Sequence, residues 1–115
     1  MLNNNNFNGN GQVSYATFLL TKNGKKKELG FQGKTARTLL ALLKAKNEGV
    51  KTLEAFEMGI HRFSGFICVL RHEYNINIIT LREPYLKSWQ GRYVLVDMVE
   101  IGKVFGSKNK EVFND

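Results

Sequence analysis

The chain has 115 residues, 43% of them hydrophobic, and seventeen Lys and Arg against ten Asp and Glu give it a formal charge of +7. That length holds one domain with a modest core and excludes two. No apolar run reaches the roughly 18–20 residues that span a bilayer, the opening MLNNNNFNGNG lacks the basic-then-apolar layout of a signal peptide, and a single cysteine permits no internal disulfide. No membrane partner is expected, and a reducing, cytoplasmic setting is. A field this positive attracts polyanions.

Residues 1–12, mostly Asn and Gly, offer almost nothing to bury and are expected to be disordered. In SYATFLLTKNGKKKELGF, Asn23-Gly24 lies between two segments that suit strands, and Asn-Gly favours a two-residue hairpin turn. Leu29 and Phe31 share a face of the second arm, and Lys25, Lys26 and Lys27 make the tip basic. Gly33 to Glu48 is the clearest helix. Ala36, Leu39, Leu40, Leu43 and Asn47 recur at helical spacing, Leu42 widens the stripe, Thr35 is placed to cap the start and Gly49 to end it. A short helix follows with Thr52 as its cap. Leu53, Ala55 and Phe56 are available to the core, and a reciprocal capping box fails because its acidic position is Ala55. Gly59 ends this helix.

The third helix is expected over about His61 to Tyr74. On 100° steps, Phe63, Ile67, Leu70 and Tyr74 form a buried stripe. His61, Gly65, Cys68 and His72 fall on the opposite side, flanked by Arg62 and Val69. Ile76–Arg82 and Arg92–Met98 then read as strands. Glu83 to Gly91 reads as a loop, because it holds Pro, Ser and Gly. Lys87, Arg92 and Arg82 make this region basic, and Trp89 among them is expected to pin it to the body. The last residues read as a tail, apolar at first and polar at its end.

The segment TLEAFEMGIHRFSGFICVLRHEYNINIIT resembles the helix-turn-helix of small phage and prophage proteins. The likeness is carried by Thr52 and Leu53, Gly59-Ile60 at the turn, Arg62, and then Ile67, Leu70 and Arg71. With the strands that follow, it covers about Gly33 to Met98. The resemblance implies an α+β winged helix-turn-helix, three helices plus a C-terminal β-hairpin wing, here with an added N-terminal β-hairpin. The expected divisions are 1–12, a domain over 13–98 with its hairpin at 13–32, and a tail over 99–115. Phe66 stands where such domains often carry a basic residue.

The implied partner is double-stranded DNA, and the implied role is regulation of phage or mobile-element genes. The third helix would enter the major groove, with Arg62 matching guanine O6 and N7. His61 and His72 would reach phosphates or bases, Val69 a thymine methyl, and Gly65 would lie on the same face. Lys87 and Arg92 on the wing, Lys34 and Arg37 at the first helix, and Lys25, Lys26 and Lys27 on the hairpin would meet phosphates. The plain alternative is a solvated helix face with Arg62 in a surface ion pair. A second alternative is a protein-interaction module docking through the apolar outer face of helix 61–74. Domains of this kind often bind as dimers, and Phe66, Val69, Val99, Ile101, Val104 and Phe105 offer apolar surface for a homodimer. His61, Cys68 and His72 share a face but are one ligand short of a structural zinc site, so no metal is expected. Nor is a cofactor, a small-molecule substrate or an enzymatic activity, since no nucleophile–base–oxyanion arrangement or phosphate-cradling glycine loop is present.

Overall fold

In the computed structural model the described residues are 13–106. Their elements are β1 (Val13–Lys22), β2 (Lys25–Gln32), α1 (Gly33–Ala45), β3 (Val50–Lys51), α2 (Thr52–Glu57), α3 (Phe63–His72), β4 (Ile78–Tyr85), β5 (Ser88–Leu95) and β6 (Met98–Gly106). The strands form two antiparallel sheets, ordered β2-β1-β6 and β3-β5-β4.

The N-terminal hairpin closes at Asn23-Gly24, both left-handed (φ 53° and 77°), as a type I′ turn requires. β1 alternates: Ala16, Phe18 and Leu20 turn inward and Thr17, Leu19 and Thr21 outward. Phe18 meets Phe31 of β2 with ring centroids 5.9 Å apart.

The other flank of β1 is β6, where sequence pattern suggested a tail. β6 runs antiparallel to β1 and sets buried Val99 opposite Leu20. The Ser14 hydroxyl donates to the Gly106 carbonyl at 2.9 Å, and the Lys103 N–H donates to Thr17 Oγ1 at 2.8 Å. The boundary placed after residue 98 therefore falls inside a sheet. Two register shifts against β1 blur the period-two pattern of β6. Val99 and Val104 pack on the core and Phe105 meets Tyr15, so of the tail residues offered to a homodimer only Ile101 is exposed. Residues 1–12 and 107–115, expected to be disordered and a mobile end, lie outside the described residues.

α1 buries Ala36, Leu39, Leu40 and Leu42, with Leu43 half-buried beside them. It starts directly after Gln32, ahead of Thr35, without a side-chain cap. After Ala45 comes a short 3-10 turn, Lys46–Glu48, and then Gly49 at φ 72°. A Cβ at Gly49 would lie 2.6 Å from the Tyr93 carbonyl oxygen, so glycine here admits both the reversal and the close approach of β5. α2 begins one residue earlier than the Thr52 cap implied. Glu54 thereby becomes its third residue, and its carboxylate accepts the Lys51 N–H at 2.9 Å. Ala55 is buried, but Leu53 and Phe56 are not the core residues expected, being 43% and 57% exposed.

α3 buries Phe63, Ile67 and Leu70 at the expected spacing. It starts two residues later than expected, because Arg62 is left-handed (φ 62°) and stands just outside the helix. Tyr74 lies past its end, 36% exposed, with its ring edge-on to Phe31 at 4.7 Å. β4 and β5 pair without interruption to Tyr85–Ser88, so residues 83–91 form a long hairpin turning at Leu86-Lys87 and not a loop. Pro84 fits because β4 is an edge strand, where a missing N–H breaks no ladder bond.

Leu70→Ala should cost about 2–5 kcal/mol, most of the stability of a small domain, measured by urea unfolding. A chain ended at Asp97 strips the β6 flank from β1 and should lose its cooperative thermal transition.

Candidate nucleic-acid interface

α3 is held from several sides. Its stripe packs in the core with α1, and Phe63 meets Tyr93 of β5 edge-on at 5.5 Å. Arg71 joins it to the hairpin: Nε donates to the Ile78 carbonyl at 2.8 Å, a terminal nitrogen donates to Thr80 Oγ1, and the guanidinium lies 5.9 Å from the Tyr93 ring centroid. These contacts leave Ser64, Gly65, Cys68 and His72 turned outward and exposed. No residue of α3 is acidic, and its first turn has no side-chain cap. A Cβ on Gly65 would meet nothing within 4 Å, so nothing in the fold demands the glycine, which costs a helix interior about 0.5–1 kcal/mol relative to alanine.

The residues proposed from sequence distribute unevenly around this face. Arg62, at the N-cap position of α3, is exposed, and its carbonyl accepts the Gly65 N–H at 2.9 Å. His61 beside it is stacked on Phe56 of α2, with ring centroids 4.5 Å apart and planes 24° apart. His72 is at the other end of the helix, where the dipole favours a cation. Val69 does not face outward with them. It is half-buried and lines a groove against Tyr15, Phe31 and Tyr74. Phe66 is half-buried as well and packs on the core. The apolar outer face expected of this helix, for a partner protein or a second copy, is thus largely turned into the fold.

At the first turn of α1, Lys34 is exposed and Arg37 half-buried, again without an acidic residue or a side-chain cap. Lys25, Lys26 and Lys27 are exposed at the opposite end of β2, roughly 24 Å along the strand from where α1 begins. They form a separate basic patch beside Lys22, whose ammonium pairs with Asp97 at 3.2 Å.

Arg92 is engaged inside the fold and is not the open wing cation expected from sequence. Its guanidinium donates to both carboxylate oxygens of Glu83, one at 3.2 Å, and to the Glu48 carbonyl at 2.6 Å. Its donors are used to clamp the base of the hairpin to the 3-10 turn that follows α1. Arg82 takes its place in the open. It shares a hairpin face with Thr80, Tyr93 and Trp89, the face that α3 meets, and its guanidinium lies 5.4 Å from the Trp89 ring centroid. Trp89, 58% exposed, stacks with that arginine and does not pin the hairpin to the body. Arg62, Lys34, Arg82 and Lys87 have no carboxylate partner among the described residues.

Arg71 and Arg92 thus carry more of the architecture than their place in the sequence suggested. For Arg71 a faint signal existed: a long polar side chain flanking the buried stripe of a helix needs acceptors from the next element. Among the described residues no three His, Cys, Asp or Glu gather around one point where an ion could sit, and no helix is long and apolar enough to cross a membrane.

Two carboxylates titrate below their ordinary values. The Arg92 hydrogen bond, together with the Arg92 and Lys51 charges, holds the Glu83 carboxyl below 4.5. Burial pushes the Asp97 carboxyl up, but hydrogen bonds from the Asn77 N–H, Lys22 and the Asn77 side chain outweigh it and hold the group below 3.8. A carboxyl with a depressed folded pKa adds stability above its unfolded pKa and loses it as pH falls. Stability should therefore be flat from neutral pH to about 5 and fall on acidification through the carboxylate range. Glu83→Gln should shrink that fall, measured as urea midpoints against pH.

Residues 28–104 match a family model described as a winged helix domain. No curated protein and no solved structure matches the chain.

Proposed function

The chain belongs to the winged helix family, and from that premise we propose that it binds double-stranded DNA, with α3 in the major groove and the β4–β5 hairpin as the wing along the backbone. Winged helix domains serve in general as DNA-binding or regulatory modules. The narrower role, regulation of phage or mobile-element genes in the cytoplasm, rests on the likeness of residues 52–80 to small phage proteins.

The observation that carries the reading is the outward face of α3. It is made of small residues, Ser64, Gly65 and Cys68, contains no carboxylate, and is bordered by Arg62 and His72. A helix surfaced in this way can lie deep in a groove, and a glycine that nothing in the fold demands is suited to close backbone approach. Arg62, at the end that enters the groove, is the candidate guanine reader. Lys34 with the uncapped start of α1, Arg37 beside it, and Lys87 and Arg82 on the wing are assigned to phosphates. Lys25, Lys26 and Lys27 are placed to grip flanking DNA. His61, Val69 and Arg92 act by holding Phe56, the groove wall and the wing.

The proposal divides binding into two measurable parts. Replacing Arg82 and Lys87 together by alanine should weaken every duplex alike and flatten the salt slope by about two units, one per lost phosphate contact. Arg62→Ala should cost about 1–3 kcal/mol on a selected site and much less on random DNA. Titrations of wild type and both variants on the two duplexes, at several salt concentrations, measure this. Equal losses on both duplexes for Arg62→Ala would remove α3 as a base reader. Binding that ignores salt would replace the DNA reading with docking on a protein.

A further inference from the structure

The two tight hairpins among the described residues turn on different chemistry. In the first, Asn23 and Gly24 are both left-handed, as residues with short or absent side chains tolerate. In the second, Leu86 has φ 56° and Lys87 stays out of that region. A positive φ at the first central position alone is the pattern of a type II′ turn, a place held as a rule by glycine. Leucine is sterically disfavoured there. Leu86 is also 87% exposed, more than any other large hydrophobic residue described. Strain thus coincides with near-complete exposure, and strained residues collect at functional positions.

The setting of this leucine suggests its partner. The wing is clamped at its base by Arg92, and from Leu81, opposite Arg92, the strand runs on roughly 15 Å to the tip. The tip is thus carried away from the core on a braced two-stranded arm. Lys87 adjoins Leu86, and Arg82 on the same arm is steadied against Trp89. Neither cation has a carboxylate partner among the described residues. A single leucine buries too little apolar surface to hold a protein on a lipid membrane, where even one acyl chain anchors only marginally. Between base pairs it need not supply affinity, because the cations beside it do that through phosphates.

We propose that Leu86 is a wedge: carried by the wing into the minor groove, it enters between two base pairs, partly unstacks them and bends the duplex. The proposal rests on the DNA-binding reading above and adds a mechanical act to it. Apolar side chains inserted at a base step kink DNA by about 20–90° toward the major groove.

The test is fluorescence energy transfer between the labelled ends of a duplex of about 30 base pairs, at saturating protein, with wild type, Leu86→Gly and Leu86→Phe. Wild type should shorten the end-to-end distance by an amount matching a bend of about 20–90°. Leu86→Gly should leave the duplex straight. It should also melt at or above the wild-type temperature, since glycine suits the turn, and keep the wild-type salt slope, since no phosphate contact is lost. Leu86→Phe, still an apolar wedge, should retain the bend. Salt-dependent binding by wild type to a duplex that stays straight would overturn the wedge and leave the DNA reading standing, as would a bend that survives in Leu86→Gly. Failure of wild type to bind duplex at any salt concentration would overturn both.

Discussion

The outward surface of this domain depends on the rotation at which α3 is held. A ten-residue helix is too short to persist in water by itself. Packing of Phe63, Ile67 and Leu70, each 1% exposed or less, gives it both its stability and its orientation. Fully burying a side chain of this size contributes about 1.5–3 kcal/mol, so turning the helix by one residue would sacrifice several such contributions. With that rotation fixed, Ser64, Gly65, Cys68 and His72 have nowhere to point but outward. Arg71 extends the constraint to the wing by giving its donors to Ile78 and Thr80.

The arginines divide by whether their donors are already used. Arg71 and Arg92 are engaged inside the fold, the first joining α3 to β4 and the second joining the wing to the 3-10 turn after α1. Arg62 and Arg82 sit at the N-terminal edge of α3 and on the projecting arm, with no carboxylate partner among the described residues. A guanidinium that already donates to a carboxylate and a carbonyl has little left for phosphate, so the total charge of +7 overstates what the surface offers to DNA. Placement carries the electrostatic argument: Glu83 neutralises the base of the wing, and Lys87 leaves its tip positive.

What was legible in the sequence was local. Asn23-Gly24 specifies its turn within two residues, and the stripes Ala36–Leu39–Leu40 and Phe63–Ile67–Leu70 are periodic in the chain itself. What was hidden depended on distant partners. β6 is a strand because β1, far earlier in the chain, needs a second flank; the Ser14–Gly106 bond spans 92 positions. Arg92 reads as an open wing cation until the Glu48 carbonyl, 44 positions away, comes within 2.6 Å. Pro84 and Gly91 imitate a loop because edge-strand placement, which excuses the proline, is a property of the sheet. The start of α3 was displaced for a related reason. Arg62 adopts a left-handed conformation that neither its side chain nor its neighbours favour, imposed by the reversal between α2 and α3. The part of the interface set by helical phase was therefore readable, and the part set by long-range pairing was not.

The proposed complex would have an unusual way to be selective. Arg62 is the best-placed bidentate donor near the outward face of α3, and Ser64, Gly65 and Cys68 beside it can discriminate little between base edges. Direct readout by the helix is correspondingly narrow. A wedge at the wing tip reads a different property of the sequence, the cost of unstacking one step, which is lowest at flexible pyrimidine–purine steps. The two readers are mechanically coupled, since α3 and the wing share Arg71, Thr80 and Tyr93 and the wing base is fixed by Arg92. In the proposed complex, the distance between the base assigned to Arg62 and the step assigned to Leu86 would then be set by the fold. A guanine and a deformable step at that spacing would define a site that neither element could specify alone.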